Sequence, residues 1–182
     1  NKNTKLNKLS KSTALHNTLT IEDYSSCDFK KDGTNFILDK SLKVSKKNII
    51  FENNFWKISG THDGYLSRFG TTFEREIEFY PEKMKFIGYD KLYRKKPNKE
   101  IKFDIRFHLE PNTKVMKTQD NKSILIEIED EGWKFCCDNF DINIDNGLYF
   151  GNKNLYKENK NIFVSGMNSE KEQIIKWEIS KL

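Results

Sequence analysis

Three histidines are the side chains of this chain best matched to proton transfer near neutral pH, and each has a distinctive setting. His16 lies in Ser12-Thr13-Ala14-Leu15-His16-Asn17-Thr18, His62 opens His62-Asp63-Gly64-Tyr65, and His108 follows Arg106-Phe107. An imidazole can move a proton or ligate a metal, and either task needs partners within reach. Structural zinc takes about four ligands, and no zinc-type cysteine spacing accompanies His16. Each histidine also has a plainer reading. His16 can hydrogen-bond within its own strand's setting. His62-Asp63-Gly64 reads as a turn, with Gly64 at positive φ and Asp63 bonding local backbone. His108 and Arg106 share a strand face with Asp104 and Glu110, as a salt-linked outer surface would. Arg75, among Glu74, Glu76 and Glu78, reads as an ion-pair partner. Cys27, Cys136 and Cys137 leave an odd thiol; buried free thiols are expected, with a bridge from Cys27 open in an oxidising compartment. There is no Gly-rich phosphate loop and no Gly-x-Ser-x-Gly elbow.

Strands must position these groups. Over residues 101–109, Ile101, Phe103, Ile105, Phe107 and Leu109 alternate with Lys102, Asp104, Arg106 and His108, the period of a half-buried strand. Burying those five apolar side chains contributes on the order of 10 kcal/mol before entropy, so the register is firmly set. The pattern recurs at 124–128, 140–144 and 175–179. Further β-branched or aromatic segments lie at 16–21, 42–44, 49–51, 55–60, 71–79, 84–92, 133–137 and 162–165. Turns are expected at Lys31-Asp32-Gly33-Thr34, His62-Asp63-Gly64, Pro81-Glu82, Pro97-Asn98, Pro111-Asn112, Glu131-Gly132 and Asp145-Asn146-Gly147. The tail 169–182 also fits a helical face through Ile175, Ile179 and Leu182, and is read as strand. About ten short strands at this spacing predict an all-β domain, a sandwich or barrel of antiparallel meanders. Residues 1–11, Lys- and Asn-rich, read as a solvated lead-in, and 12–182 as the domain.

Composition narrows the class. Hydrophobic residues make up 36% of the chain, and 14 Phe, 7 Tyr and 3 Trp supply the apolar bulk that disordered chains lack. No apolar run approaches the roughly 18 residues of a membrane helix. The net charge of +5 favours an anionic partner, although lysines spread among Asn and Ile also match an AT-rich coding sequence. Basic residues alternate with acids instead of forming a stripe, which argues against nucleic acid. The chain opens on Asn1, as a processed or partial product would.

Several segments, in order, resemble the C-terminal β-sandwich region of heparinase II/III-like polysaccharide lyases. The His16 stretch is similar to that family's S-T-A-x-H-N-T signature, and Ser59-Gly60-Thr61-His62-Asp63-Gly64-Tyr65 with Arg68-Phe69-Gly70 to its H-D-G-Y and R-F-G segment. The resemblance continues through Arg75, Asp90-Lys91-Leu92, Arg106-Phe107-His108-Leu109-Glu110-Pro111, Gly132-Trp133-Lys134-Phe135, Leu148-Tyr149-Phe150-Gly151 and Lys176-Trp177. Phe73 stands where many relatives have histidine, and the family's histidine-rich H-A-D-x-L-S-F segment, which belongs before His16, has no counterpart.

The resemblance implies an antiparallel β-sandwich belonging to an enzyme that cleaves uronate-containing polysaccharide, glycosaminoglycans included, by β-elimination. In such a reaction a base removes the proton beside the sugar carboxylate, and an acid assists the leaving glycosidic oxygen. The N-terminal α/α toroid of these lyases supplies a tyrosine and other polar groups, so the toroid is the implied partner and the chain alone is expected to be inactive. His16 is the implied catalytic residue and, with ligands from the missing segment, a zinc ligand in the intact enzyme. Asn17, His62, Tyr65 and Arg68 are the implied substrate contacts, with ring and guanidinium offered to a sugar and its acid group. Relatives often work in the periplasm, and the resemblance implies that compartment here. The rival expectation is a free-standing sandwich that binds glycans without cleaving them, or scaffolds a partner.

Overall fold

The computed structural model describes residues 6, 9–27, 42–152 and 155–182. Among them are twelve strands: β1 Leu19–Ile21, β2 Val44–Glu52, β3 Phe55–His62, β4 Thr71–Tyr80, β5 Lys85–Arg94, β6 Ile101–His108, β7 Lys114–Lys117, β8 Ser123–Ile128, β9 Glu131–Cys137, β10 Asp141–Asn152, β11 Leu155–Asn168 and β12 Glu172–Lys181. One helical turn, α1 Leu66–Phe69, joins β3 to β4. The strands form two antiparallel sheets, a small one in the order β1-β6-β11-β10 and a large one in the order β2-β3-β4-β5-β12-β9-β8-β7. No helix among the described residues is long and apolar enough to cross a membrane.

The alternation read at 101–109 builds the interface between the sheets. Ile101, Phe103, Ile105 and Phe107 of β6 are buried and join Leu92, Ile124, Phe135, Ile175 and Trp177 of the large sheet in one core. The Phe107 ring meets Phe135 at 4.8 Å and Trp177 at 4.9 Å. Trp177 faces Gly88 across the β12/β5 pair, and a Cβ at Gly88 would run into the indole. Alternate burial of Ile175 and Trp177 settles the tail as strand.

Eight strands cannot all be covered by four, and the overhang lies at β2 and β3. Cross-strand pairing aligns Ile58 with Ile77, Ile77 with Gly88 and Gly88 with Trp177, so all four positions share the core-facing side. Yet on that side Ile49 and Phe51 are 73% exposed, Ile58 52% and Trp56 42%. The opposite side carries a ladder of ion pairs, Lys57 to Glu76 at 2.9 Å and Lys91 to Glu74 at 3.0 Å. The charged side therefore faces water in the ordinary way, and the bare apolar side is an extension of the core with nothing from the small sheet above it.

Local signals misplaced several connections. Segments 42–44 and 49–51 belong to one strand, β2, interrupted by a bulge between Ser45 and Asn48. Asp145-Asn146-Gly147 makes no turn; it runs through β10, where Gly147 pairs with Asn159 and leaves room for the Asn159 and Asn161 side chains. The turn expected at Glu131-Gly132 falls at Glu129 and Asp130, both at positive φ as a two-residue primed hairpin requires. Strand β7 and α1 had no sequence counterpart. The turn expected at Lys31 to Thr34 lies outside the described residues, as does most of the expected lead-in, of which Ser10 N–H closes a turn on the Leu6 carbonyl.

Candidate functional site

The segment carrying His16 is held by both its backbone and its side chains. A 3-10 turn spans Thr13–Leu15. Thr13 ties it to the loop after β1, its hydroxyl accepting from Ser26 N–H (2.9 Å) and its N–H donating to Ser25 Oγ (3.1 Å). From β6, His108 Nε2 donates to the Ala14 carbonyl (3.0 Å), and His108 N–H donates to Asn17 Oδ1 (2.6 Å). From β4, Arg75 donates to the Asn17 carbonyl. Arg75 also clamps Asp90 of β5 with two bonds of 2.6 and 2.7 Å, and Trp177 Nε1 donates to the same carboxylate at 3.1 Å. Asp90 is fully buried, so its charge is tolerable only because it is paired and hydrogen-bonded. A continuous chain of contacts thus runs from the core indole through Asp90 and Arg75 to the loop.

These hooks leave the His16 and Asn17 residues exposed. Asn17, though not His16, lines a groove of about 390 Å³ that opens between Asn17 and Thr18 on one wall and the overhang of β2 and β3 on the other. Ile58, Gly60, Phe73, Arg75 and Ile77 belong to its lining, with Val44 and Lys47 on the far wall. A Cβ built on Gly60 would meet nothing within 4 Å, so the space above it is open.

The substrate contacts expected from sequence separate into groups. Asn17 lines the groove, with its Oδ1 and carbonyl engaged in holding the loop. His62 also lines it; its Nδ1 accepts from Gly64 N–H (3.2 Å), and its ring lies against Tyr65 and Phe73. Burial holds the His62 pKa below the ordinary histidine range, Asp63 opposing and nearby Arg75 adding to the effect. Tyr65 is a correction: it is 1% exposed and its hydroxyl donates to the Leu19 carbonyl (2.8 Å), so it anchors β1 inside the core instead of meeting a ligand. Burial accordingly raises its pKa. Arg68 is exposed on α1, outside the groove lining, with its guanidinium 4.0 Å from the Tyr24 ring centroid.

Two details of the turn also differ. Gly64 is not at positive φ; a side chain there would strike the Ser26 carbonyl, so the glycine serves close approach. Asp63 bonds distant backbone, accepting from Lys43 N–H at 2.6 Å and fixing the entry to β2. His108 is half-buried, and burial lowers its pKa despite the Ala14 carbonyl, Arg106 and His16 acting in the same downward direction. The salt-linked face expected around it exists at Asp104, which takes Lys102 at 3.5 Å and Arg106 at 3.6 Å but is itself buried, also accepting from Ser165.

Arg75 is an ion-pair partner as expected, but its partner is Asp90 across the sheet, and its hold on the Asn17 carbonyl had no sequence counterpart. Glu74, Glu76 and Glu78 point to the opposite side of β4, and Arg75 shares the apolar side with Phe73 and Ile77. That parity was the available signal, since a charge on a core-facing position needs a partner across the sheet. None of the three cysteines is in a disulfide, and burial raises the Cys137 thiol to about 12. For zinc, the described residues offer no group of three or more His, Cys, Asp or Glu side chains. His16 is a single available ligand, and this chain's own described residues do not fit the ion.

A two-layer antiparallel sandwich with an overhanging sheet and a groove walled by the loop that carries an exposed histidine is the class of domain that fold and site define. The chain belongs to the heparinase II/III-like family, whose C-terminal model matches residues 1–178. Among solved structures, heparan sulfate lyase HepC from Pedobacter heparinus superposes with a TM-score of 0.75 at 14% identity over 97% of this chain and 25% of that one. A heparinase III gene product gives 0.73 at 12% identity, covering 98% of this chain and 26% of its own. At these identities the likeness is one of fold, and this chain spans about a quarter of those relatives' length. No curated protein sequence matches it.

Proposed function

We propose that this chain is the sandwich part of a lyase that cleaves acidic, uronate-containing polysaccharide by β-elimination, and that it turns over only together with a helical toroid. One observation carries the reading: the bare apolar side of β2 and β3 runs, through Ile58, into the groove walled by Asn17, the residue after His16. An exposed patch of Ile49, Phe51, Trp56 and Ile58 is what an interdomain contact looks like with its partner removed. A substrate lying in the groove would then pass between the two domains.

The elimination breaks the C–H bond beside the carboxylate and the glycosidic C–O bond, forms a C=C bond, and hands the proton to the leaving oxygen. His16 is the imidazole this chain contributes to that transfer, presented by the hooks on Ala14 and Asn17. The other proton-handling group comes from the toroid, because the groove lining offers no carboxylate and its His62 holds a turn. Displacing a reacting group by about 1 Å costs on the order of 100-fold, so one half is expected to be inert. A periplasmic setting belongs to the same proposal.

The test is the ultraviolet absorbance of the unsaturated product. The chain alone should release none from any uronate glycan. The same chain joined to the region encoded upstream should release it, and His16→Ala should abolish that gain. Turnover by the isolated chain would refute the two-domain reading. The lack of a carboxylate in the groove also favours a second reading, glycan binding without cleavage. It predicts binding but no product whatever region is joined.

A further inference from the structure

The bulge in β2 supports an inference that rests on the glycan reading above and narrows it to a residue. Val44 pairs with His62 and Ile49 with Ile58, and both lie on the core-facing side of the large sheet. They are 49 − 44 = 5 positions apart, whereas strict alternation returns to the same side only after an even number. One extra residue must be absorbed, and the bulge between Ser45 and Asn48 absorbs it. Lys46 takes the strain, at φ 48°, a region that non-glycine residues seldom enter. The outcome is a division of two adjacent lysines. Lys46 lies close enough to Glu74, on the ion-paired side, to help lower that carboxyl's pKa. Lys47 joins the groove lining across from Asn17.

The other cation of the groove is already engaged, since Arg75 is bonded to Asp90 and to the Asn17 carbonyl. Lys47 is exposed and has no ion pair or hydrogen bond among the described residues. The floor between is apolar, with Ile58 and Ile77 flanking the open space above Gly60. We propose that Lys47 is the substrate-binding residue that grips the carboxylate or sulfate of an acidic saccharide lying across Gly60. A strongly hydrated ammonium on a flexible stem suits either anion, because it needs no bidentate alignment. The apolar floor takes the face of the sugar ring while the lysine fixes its charged edge.

The experiment is an NMR titration of the isotopically labelled chain with a heparan sulfate tetrasaccharide and, separately, with its desulfated counterpart that keeps the carboxylates. Shifts are expected at Asn17, Lys47 and Gly60. Lys47→Ala should weaken binding by about five-fold or more, as loss of one charge-assisted hydrogen bond would, with Lys47→Arg retaining most of it. Lys46→Ala removes the same charge one residue away on the other side, and should change affinity less than about two-fold, the size of a screened long-range effect. Dependence on Lys47 with only the sulfated ligand assigns the anion as sulfate, and with both ligands as carboxylate. Equal losses in the two alanine variants would overturn the assignment while leaving glycan binding intact. No saturable shift in the wild-type groove would overturn the glycan reading, and the role of Lys47 with it.

Discussion

Replacing Asp90 by alanine tests whether the buried network is what holds the His16 loop. The carboxylate is fully buried and accepts three hydrogen bonds, two from Arg75 at 2.6 and 2.7 Å and one from Trp177 at 3.1 Å. Its removal strands a guanidinium against the core and orphans the indole N–H. Breaking a buried pair from one side costs about 3–5 kcal/mol. For a domain of this size each kcal/mol lowers Tm by roughly 2–4 °C, so a fall on the order of 10 °C is expected at pH 7. Urea denaturation should report the same loss in midpoint. The local signature is separate: with Arg75 released from Asp90, Asn17 loses its fixed anchor, and the His108 N–H that donates to Asn17 Oδ1 should exchange faster with solvent. Lys114→Ala is the control, since its 2.6 Å pair with Glu127 is 76% and 50% exposed and should contribute less than about 1 kcal/mol. An Asp90→Ala protein as stable as the control, with unchanged His108 protection, would refute the reasoning.

Other outcomes follow from the same geometry. Gly88→Ala places a methyl inside the Trp177 indole and should destabilise by about 1–3 kcal/mol or more, measurable by denaturant titration. Gly60→Leu should do the reverse of a core variant, leaving stability nearly unchanged because the space is open, while eliminating glycan-induced shifts in the groove. His62 and His108 both have pKa values lowered by burial, so below about pH 6.5 the unfolded chain binds more protons than the folded one. Stability should therefore fall as pH drops from 7.5 to 5.5, and a variant with both residues changed to Gln should flatten that slope in urea midpoints.

Much of the fold was written in residue alternation, because a half-buried strand leaves the same mark wherever it lies. Ile101 through Phe107 and Ile175 through Trp177 each signalled both strand and facing. What alternation does not encode is which strands become neighbours, so the four-against-eight division and its overhang were invisible. Asp145-Asn146-Gly147 looked like a turn because turn propensity is local, whereas the space needed by Asn159 and Asn161 comes from another strand. The site shows the same divide. The motif around His62 marked an important corner, yet Tyr65 points inward to bind the Leu19 carbonyl, a contact across 46 residues that no local pattern reports. The charged position Arg75 on an apolar strand side was legible in principle, since parity alone places it there.

Two of the hooks on the His16 loop end on its peptide oxygens: Ala14 by His108, Asn17 by Arg75. A main-chain carbonyl is the same acceptor whatever side chain it carries. Position 14 is therefore free to drift over evolutionary time while the imidazole near it keeps its address, whereas the grasping pair, planted in two different sheets, has almost no such latitude.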